Sequence, residues 1–541
     1  MAKFVPVAVV LASLIAGCAP EPPAATLELP VGVLAQSSDG PAVMTRPASH
    51  LAGDPARGKE VFRYETFGNE GFWSDAARLP QGLTAAKLTP AGALGLGLSF
   101  DLEAMAWPTR RAIIGELNQN FLSGPLLNSP ATLLELLNAN AVIGLVVKDS
   151  NQDGQVDLAR GDKLGVSCAL CHAITDSALL DNPSGGSIGR RFDGPAVHTI
   201  RIGALLALAA NTRAFFPLAQ LQQPDGSSIG RAPASRGLTR TSSEAELDAY
   251  FSDPAFYPRG SFDQTADGVG NPLHDAPVFR ADLAAPWGSA GEVSTLDHLT
   301  NAKYTLGLDP SALLTPEGRS YLRLTGGAAG DRLAADYAEV LAVTGVTGFP
   351  YVDARKLGAP GEPVSPVGRR VDEQKLVDLN GYLNSLAAPC GAVVDTGAAD
   401  RGRELFRSTA GCTACHNVTQ RTSVPAGVVA MKAIFPGDAP RVLGERQAPM
   451  VPLLDTEGST FDDPMIVFNA SLRGLPRGVA LPLLMDLARK PAFLHDDSVP
   501  SLERLLDPTR GPNAPHPFYL ADPVERTEVI RFLQRLDDTR K

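Results

Sequence analysis

Cysteine is scarce in this chain, six in 541 residues, and histidine nearly so, with eight; tryptophan occurs three times. Basic residues do not dominate either. The 48 Lys and Arg face 59 Asp and Glu, which leaves a net charge of −11 and a sequence pI near 5.3. Such a balance argues against nucleic acid as the main partner, because nothing here would release phosphate counterions. It is compatible with a basic redox partner. Long apolar runs are missing: residues 4–15 and 202–215 stand out, and both are too short for a membrane span. Strand patterns are hard to find, and 45 Pro with 52 Gly point to much irregular chain. What remains is 44% hydrophobic and 20% charged, an ordinary globular balance. The length leaves room for roughly two to four domains with sizeable cores.

Against that scarcity, the placement of four cysteines is informative. Gly165-Val166-Ser167-Cys168-Ala169-Leu170-Cys171-His172 has a second copy in Gly411-Cys412-Thr413-Ala414-Cys415-His416. Two cysteines two residues apart, followed at once by histidine, form the attachment signature of a c-type haem. The spacing follows from the chemistry. Each thiol adds to one vinyl group, and the adjacent imidazole ligates the iron. Chance would produce one such motif on the order of once in a thousand chains of this composition. The competing reading is a pair of zinc or thiol-redox half-sites. The expectation is two covalent haem c groups, held by Cys168, Cys171, Cys412 and Cys415, with His172 and His416 on the irons.

The chain opens with Lys3 and the apolar run of residues 4–15, then Ile15-Ala16-Gly17-Cys18. Small residues directly before a cysteine resemble the lipobox of bacterial lipoproteins. That resemblance implies cleavage before Cys18 and lipid on it, and Ala19 in place of aspartate implies the outer membrane. The alternative is an ordinary secretory signal with a stray cysteine; either way the chain is expected to be exported. Several acyl chains make a stable anchor. Residues 18–53 are read as a tether. Cys390 is left over, and its expected state is a free thiol.

A faint repeat organises the rest. Arg57-Gly58-Lys59-Glu60-Val61-Phe62-Arg63 matches Arg401-Gly402-Arg403-Glu404-Leu405-Phe406-Arg407. Leu379-Asn380-Gly381-Tyr382-Leu383-Asn384-Ser385-Leu386 and Val529-Ile530-Arg531-Phe532-Leu533-Gln534-Arg535-Leu536 share apolar positions on one helical face. These brackets predict a mainly α fold with two cytochrome c-like haem domains, residues 54–388 and 396–541, and a long loop-rich insertion in the first. Helices are predicted over residues 130–146, behind Ser129-Pro130, and over residues 202–215.

Pro491-Ala492-Phe493-Leu494-His495-Asp496-Asp497-Ser498-Val499-Pro500-Ser501-Leu502 resembles the segment after the C-terminal haem motif in bacterial di-haem cytochrome c peroxidases. It is nearer still to the large di-haem cytochromes that include the rubber oxygenases. The stretch from Phe62 through Tyr64, Glu65, Gly68 and Glu70 to Trp73 fits that branch, as does Ile188-Gly189-Arg190-Arg191-Phe192-Asp193-Gly194 after the first haem motif. The resemblance implies that the haem on His172 activates peroxide or dioxygen and that the haem on His416 relays electrons. It also implies His495 as the distal ligand of the second iron, with Met485 and then Met450 behind it. Trp287 would be an electron relay between the haems.

A reactive first haem needs groups to take and return a proton. His198 follows the motif closely, and Glu70, Glu65, His298 and Glu292 are further candidates, although each is as readily structural. Asp149, Asn151, Asp153 and Asp157 alternate around Gly154 in a pattern that can wrap calcium, but Arg160 stands where a bidentate glutamate belongs. The expected function is a di-haem oxidoreductase, with a pure electron carrier as the alternative and a haem-bearing assembly or sensor lipoprotein behind both. Replacing Cys18 by serine should move the chain from the membrane to the soluble fraction with its haem content unchanged. Retention in the membrane fraction would count against the anchor.

Overall fold

The structure is a computed structural model. It describes residues 53–182, 185–222, 237–254, 256–263, 266–268, 270, 272–279, 281, 296–360, 367–414, 416, 428–430, 478–480, 484–494, 499–510, 516 and 518–536. The fold is mainly α, with few short strands. In chain order the elements used below are α1 (Pro55–Tyr64), α2 (Trp107–Asn120), α3 (Pro130–Asn138), β1 (Leu145–Lys148), β2 (Lys163–Val166), α4 (Ala169–His172), β3 (Ala173–Thr175) and β4 (Arg191–Asp193). They continue with α5 (Ile202–Leu206), α6 (Glu244–Ser252), β5 (Ser261–Phe262), β6 (Leu273–His274), α7 (Leu296–Ala302), α8 (Pro316–Val343), α9 (Glu373–Ser385), α10 (Thr396–Arg407) and α11 (Pro523–Arg535). Helix α8 is broken at Gly327, whose φ is 55°. Among the described residues no helix is long and apolar enough to cross a membrane.

Two helix crossings frame the molecule, and the repeated residues build both alike. α1 packs on α9 and α10 packs on α11. Asp54 caps α1 by accepting from the amides of Ala56 and Arg57; Asp395 caps α10 by accepting from Ala398. A Cβ on Gly58 would lie 1.9 Å from the Asp378 carbonyl oxygen, and one on Gly402 would lie 2.0 Å from that of Glu528. Only glycine lets the backbones meet this closely. Beside each glycine an arginine bonds an acid across the crossing, Arg57 Nε to Asp378 at 2.8 Å and Arg401 Nε to Glu528 at 2.6 Å. One turn on, an aromatic pair closes edge to face: Phe62 with Tyr382 at 5.6 Å between ring centres, Phe406 with Phe532 at 5.4 Å.

The largest apolar core is separate from the residues of both crossings and includes Phe72, Trp73, Phe100, Phe215, Phe251 and Tyr337. The helix predicted over residues 130–146 is shorter than expected. It stops at Asn138, Asn140 turns to φ 50°, and the Asn140 side chain accepts from the Val147 amide at 2.8 Å. The β-branched residues that follow enter β1, where they pack better than in a helix. The helix predicted over residues 202–215 is also divided. α5 ends at Leu206, Asn211 bonds back to Ala76 and Ala77, and a 3-10 segment covers Thr212–Leu218. Among the described residues, strands form two-stranded ladders only, and two of these hold the first Cys-x-x-Cys-His segment.

Substituting alanine for Gly58 or Gly402 should lower stability by at least about 2 kcal/mol, since the helices must separate to admit a methyl group. Gly95 meets nothing within 4 Å of a built Cβ, so Gly95→Ala is the control and should not destabilise. Denaturant unfolding reads the difference; equal midpoints for all three variants would refute the close crossing.

Candidate functional site

The first Cys-x-x-Cys-His segment sits in a clamp. β2 leads into it, paired with β1 so that Leu145 faces Val166; β3 leads out, paired with β4 so that Ala173 faces Asp193. The motif itself is one short helical turn, with the His172 amide donating to the Cys168 carbonyl at 3.2 Å. Its outer carbonyls are also taken: Gly194 N donates to His172 O at 2.8 Å and Val197 N to Cys171 O at 2.9 Å. The Ser167 hydroxyl donates to the Arg63 carbonyl at the end of α1 at 2.8 Å, which docks the motif on that helix. Gly144, at φ 82°, lets the chain pass so close that a Cβ would be 2.1 Å from the Leu170 nitrogen.

Two stretches far apart in sequence meet beside this turn. Arg63 Nε donates to Asp193 at 2.6 Å, and the Tyr382 hydroxyl donates to the same carboxylate oxygen at 2.6 Å. Asp193 therefore ties α1, α9 and the strand after the motif together. Next to it, Arg191 and Asp101 form a nearly fully buried ion pair at 3.1 Å. Removing one partner of such a pair leaves a charge without compensation.

The side chains of the motif are themselves enclosed. Burial pushes the Cys168 thiol up to about 11, against the Tyr304 hydroxyl that lies 3.0 Å from its sulfur. Burial, with Asp275 nearby, pushes Cys171 up as well. Cys168, Cys171 and Cys412 are not in disulfides. Thiols of this kind make poor thiolates, which weakens the thiol-redox reading. They fit a group that takes the sulfurs as neutral thioethers. Burial lowers His172 to about 4, against the neighbouring Ala276 carbonyl, and its Nδ1 is buried with no hydrogen-bond partner. A neutral, enclosed imidazole is the form that ligates a metal. The residues present thus fit haem c.

Of the proton-transfer candidates, His198 follows the Val197 contact to Cys171 and so lies beside the motif. Its ring is stacked on His274 at 4.6 Å and 9°. Burial, then His274 and Lys490, lower it to about 2. A base that weak is poorly matched to take a proton at neutral pH. Glu70 packs against Gly165 on β2 and accepts from the Thr66 hydroxyl at 2.6 Å. Glu65 accepts from the amides of Thr66 and Phe67 and pairs with Lys375. His298 is buried on α7. Trp287, Glu292, Met450, Cys18 and His495 lie outside the described residues, as does Cys415. Met485 packs with Phe279 and Ala388, flanked by Phe192 and Leu386, apart from the apolar residues around Cys412. Sequence reasoning missed Tyr304, His274 and Asp275. They come from segments more than a hundred residues away, and nothing in their spacing signals the motif.

The loop with the acidic alternation is compact. Asp149 accepts from the amides of Asp153 and Gly154, Asn151 from Asp153, and Asp153 from Gln155. Asp157 does not join them: it caps the following turn by accepting from Ala159 and receives the Asn138 amide group. The buried Asp162, absent from the sequence expectation, instead holds the loop through the amides of Ser150, Asn151 and Asp157. Among the described residues no group of three or more His, Cys, Asp or Glu side chains converges as a metal cage.

At the second motif the turn recurs, with His416 N donating to Cys412 O at 2.9 Å. His516 stands near it, the two ring centres 6.2 Å apart. Cys390 was expected as a free thiol and is instead disulfide-bonded. Sequence position alone could not reveal this, since the bond depends on which cysteine folding brings to the joint.

No family model matches the chain, and no curated protein matches it. Among solved structures, the chain is similar to a hydrazine synthase from Kuenenia stuttgartiensis pressurised with xenon. The identity is 16% and the TM-score 0.20, over 31% of this chain and 57% of that one. The chain spans little more than half of that structure's length, and a likeness this slight carries no argument.

Glu65 gives a pH test of the first site. Phe67, which Glu65 holds at φ 49°, lies edge to face on Tyr304 at 4.4 Å. Although burial opposes it, the Lys375 ammonium and the loop amides hold the Glu65 carboxyl below its ordinary value. A lowered folded value means stability that is present above the unfolded pKa and lost as pH falls through the folded one. Glu65→Gln should therefore lower the unfolding midpoint near neutral pH and cost much less below about pH 3. An equal loss at both would show that the charge contributes nothing.

Proposed function

We propose that the chain is a di-haem c-type cytochrome with oxidoreductase activity of the peroxidase or oxygenase kind. The observation that carries this reading is the paired construction. Each Cys-x-x-Cys-His turn is docked on a helix bearing the Arg-Gly-x-Glu-x-Phe-Arg repeat, the first through Ser167 and Arg63, the second by direct succession after Arg407. Each such helix crosses its partner through the same glycine, arginine–acid and aromatic contacts.

Bound haem iron supplies electron transfer and, where its sixth position is open, activation of peroxide or dioxygen. The protein's part at the first site is to hold His172 neutral, to enclose both sulfurs, and to line the surroundings with Tyr304, Asp275 and the His198–His274 pair. On this reading His198 positions and excludes water, and Glu70 stays committed to Thr66. At the second site the chain offers a further imidazole, the arrangement of an electron-relaying centre. With lipid on Cys18 the protein would face the periplasm or the cell surface and take electrons from a soluble donor.

The test is the spin state of the two irons by EPR and visible spectroscopy. One high-spin or exchangeable iron and one low-spin iron are expected, with cyanide or peroxide perturbing only the former. Two low-spin irons that ignore peroxide, cyanide and dioxygen in every redox state would favour a pure electron carrier.

A further inference from the structure

We infer that His516 is the sixth ligand of the iron held by His416; this rests on the reading of Cys412-Thr413-Ala414-Cys415-His416 as a haem attachment site. The two imidazole centres are 6.2 Å apart and their planes are inclined by 44°. Imidazoles on opposite faces of one iron, each nitrogen about 2 Å from the metal and each ring centre about 1 Å beyond, stand about 6 Å apart. The molecule contains its own comparison. His198 and His274, which meet with nothing between them, stack at 4.6 Å and 9°. The gap between His416 and His516 is wider and falls at the spacing that two imidazoles on one iron require.

The segment around His516 is shaped to present its ring. The residue has φ 55°, the left-handed region that a side chain other than glycine rarely adopts. Backbone strain of this kind persists where the surroundings over-determine it, and it clusters at ligand clamps. The His516 carbonyl accepts from the Phe518 amide at 2.9 Å, which locks the turn. The Phe518 ring stands at 5.2 Å and 74° to the imidazole and fixes its rotation. The ring's Nδ1 is buried and has no hydrogen-bond partner. A ligand to iron has one nitrogen on the metal, and its orientation is set from the other side of the ring.

The experiment uses the haem-loaded full chain, comparing wild type with His516→Ala, His516→Met and His495→Ala. Haem per chain is measured by pyridine haemochrome absorbance and ligation by EPR and near-infrared spectroscopy. With two haems per chain throughout, His516→Ala should convert one low-spin iron to high-spin, and added imidazole should restore it. His516→Met should replace the bis-imidazole spectrum by an imidazole–thioether one, and His495→Ala should leave the low-spin signal unchanged. A bis-imidazole spectrum that survives both His516 substitutions overturns the assignment, as does its loss in His495→Ala alone. A wild-type chain with no haem at the second motif rejects the site itself, which the haem count reports separately from ligation.

Discussion

Both Cys-x-x-Cys-His turns depend on close helix crossings. A helix pair normally keeps its axes 8–10 Å apart, about the width that two layers of side chains require. At Gly58 and Gly402 there is no side chain to accommodate, and the partner's carbonyl occupies the place where a Cβ would be. The approach brings Arg57 within reach of Asp378, and Arg401 within reach of Glu528, and sets the aromatic pairs one turn further on. Without it neither crossing could place the end of its first helix where a Cys-x-x-Cys-His turn can dock.

The two motifs start from the same local geometry and reach different surroundings. Both form a tight turn closed from the histidine amide to the first cysteine's carbonyl. The first is gripped by two ladders and overlain by residues from distant segments, Tyr304 on Cys168 and Asp275 beside Cys171. The second follows its helix directly and faces a histidine on a strained turn. That contrast gives physical content to the proposed division between a reacting site and a relaying one.

Some of this was legible in the residues. The repeat of Arg-Gly-x-Glu-x-Phe-Arg and the pair of apolar closing helices could be read because helical packing imposes a period on the chain. The ends of helices were harder to read. The stop after Asn138 is set by Asn140 bonding Val147, a choice made only when β1 finds β2. Asp157 looked like a fourth oxygen ligand by spacing, yet it caps a turn, and the buried Asp162 holds the loop in its stead. Alternation in sequence shows which oxygens are available but not which amides will claim them.

What the sequence by itself determined is the chemistry that two Cys-x-x-Cys-His motifs can perform, because two thiols and an imidazole within five residues need no tertiary structure to meet. It also determined the mainly α character, through the apolar period of its helices. Only the tertiary structure decided what surrounds each motif. Asp193 gathers Arg63 and Tyr382, His198 stacks on His274, and His516 stands opposite His416, each across a separation that no local pattern spans. Those contacts are long-range because packing and burial select them, and both depend on the whole chain having folded.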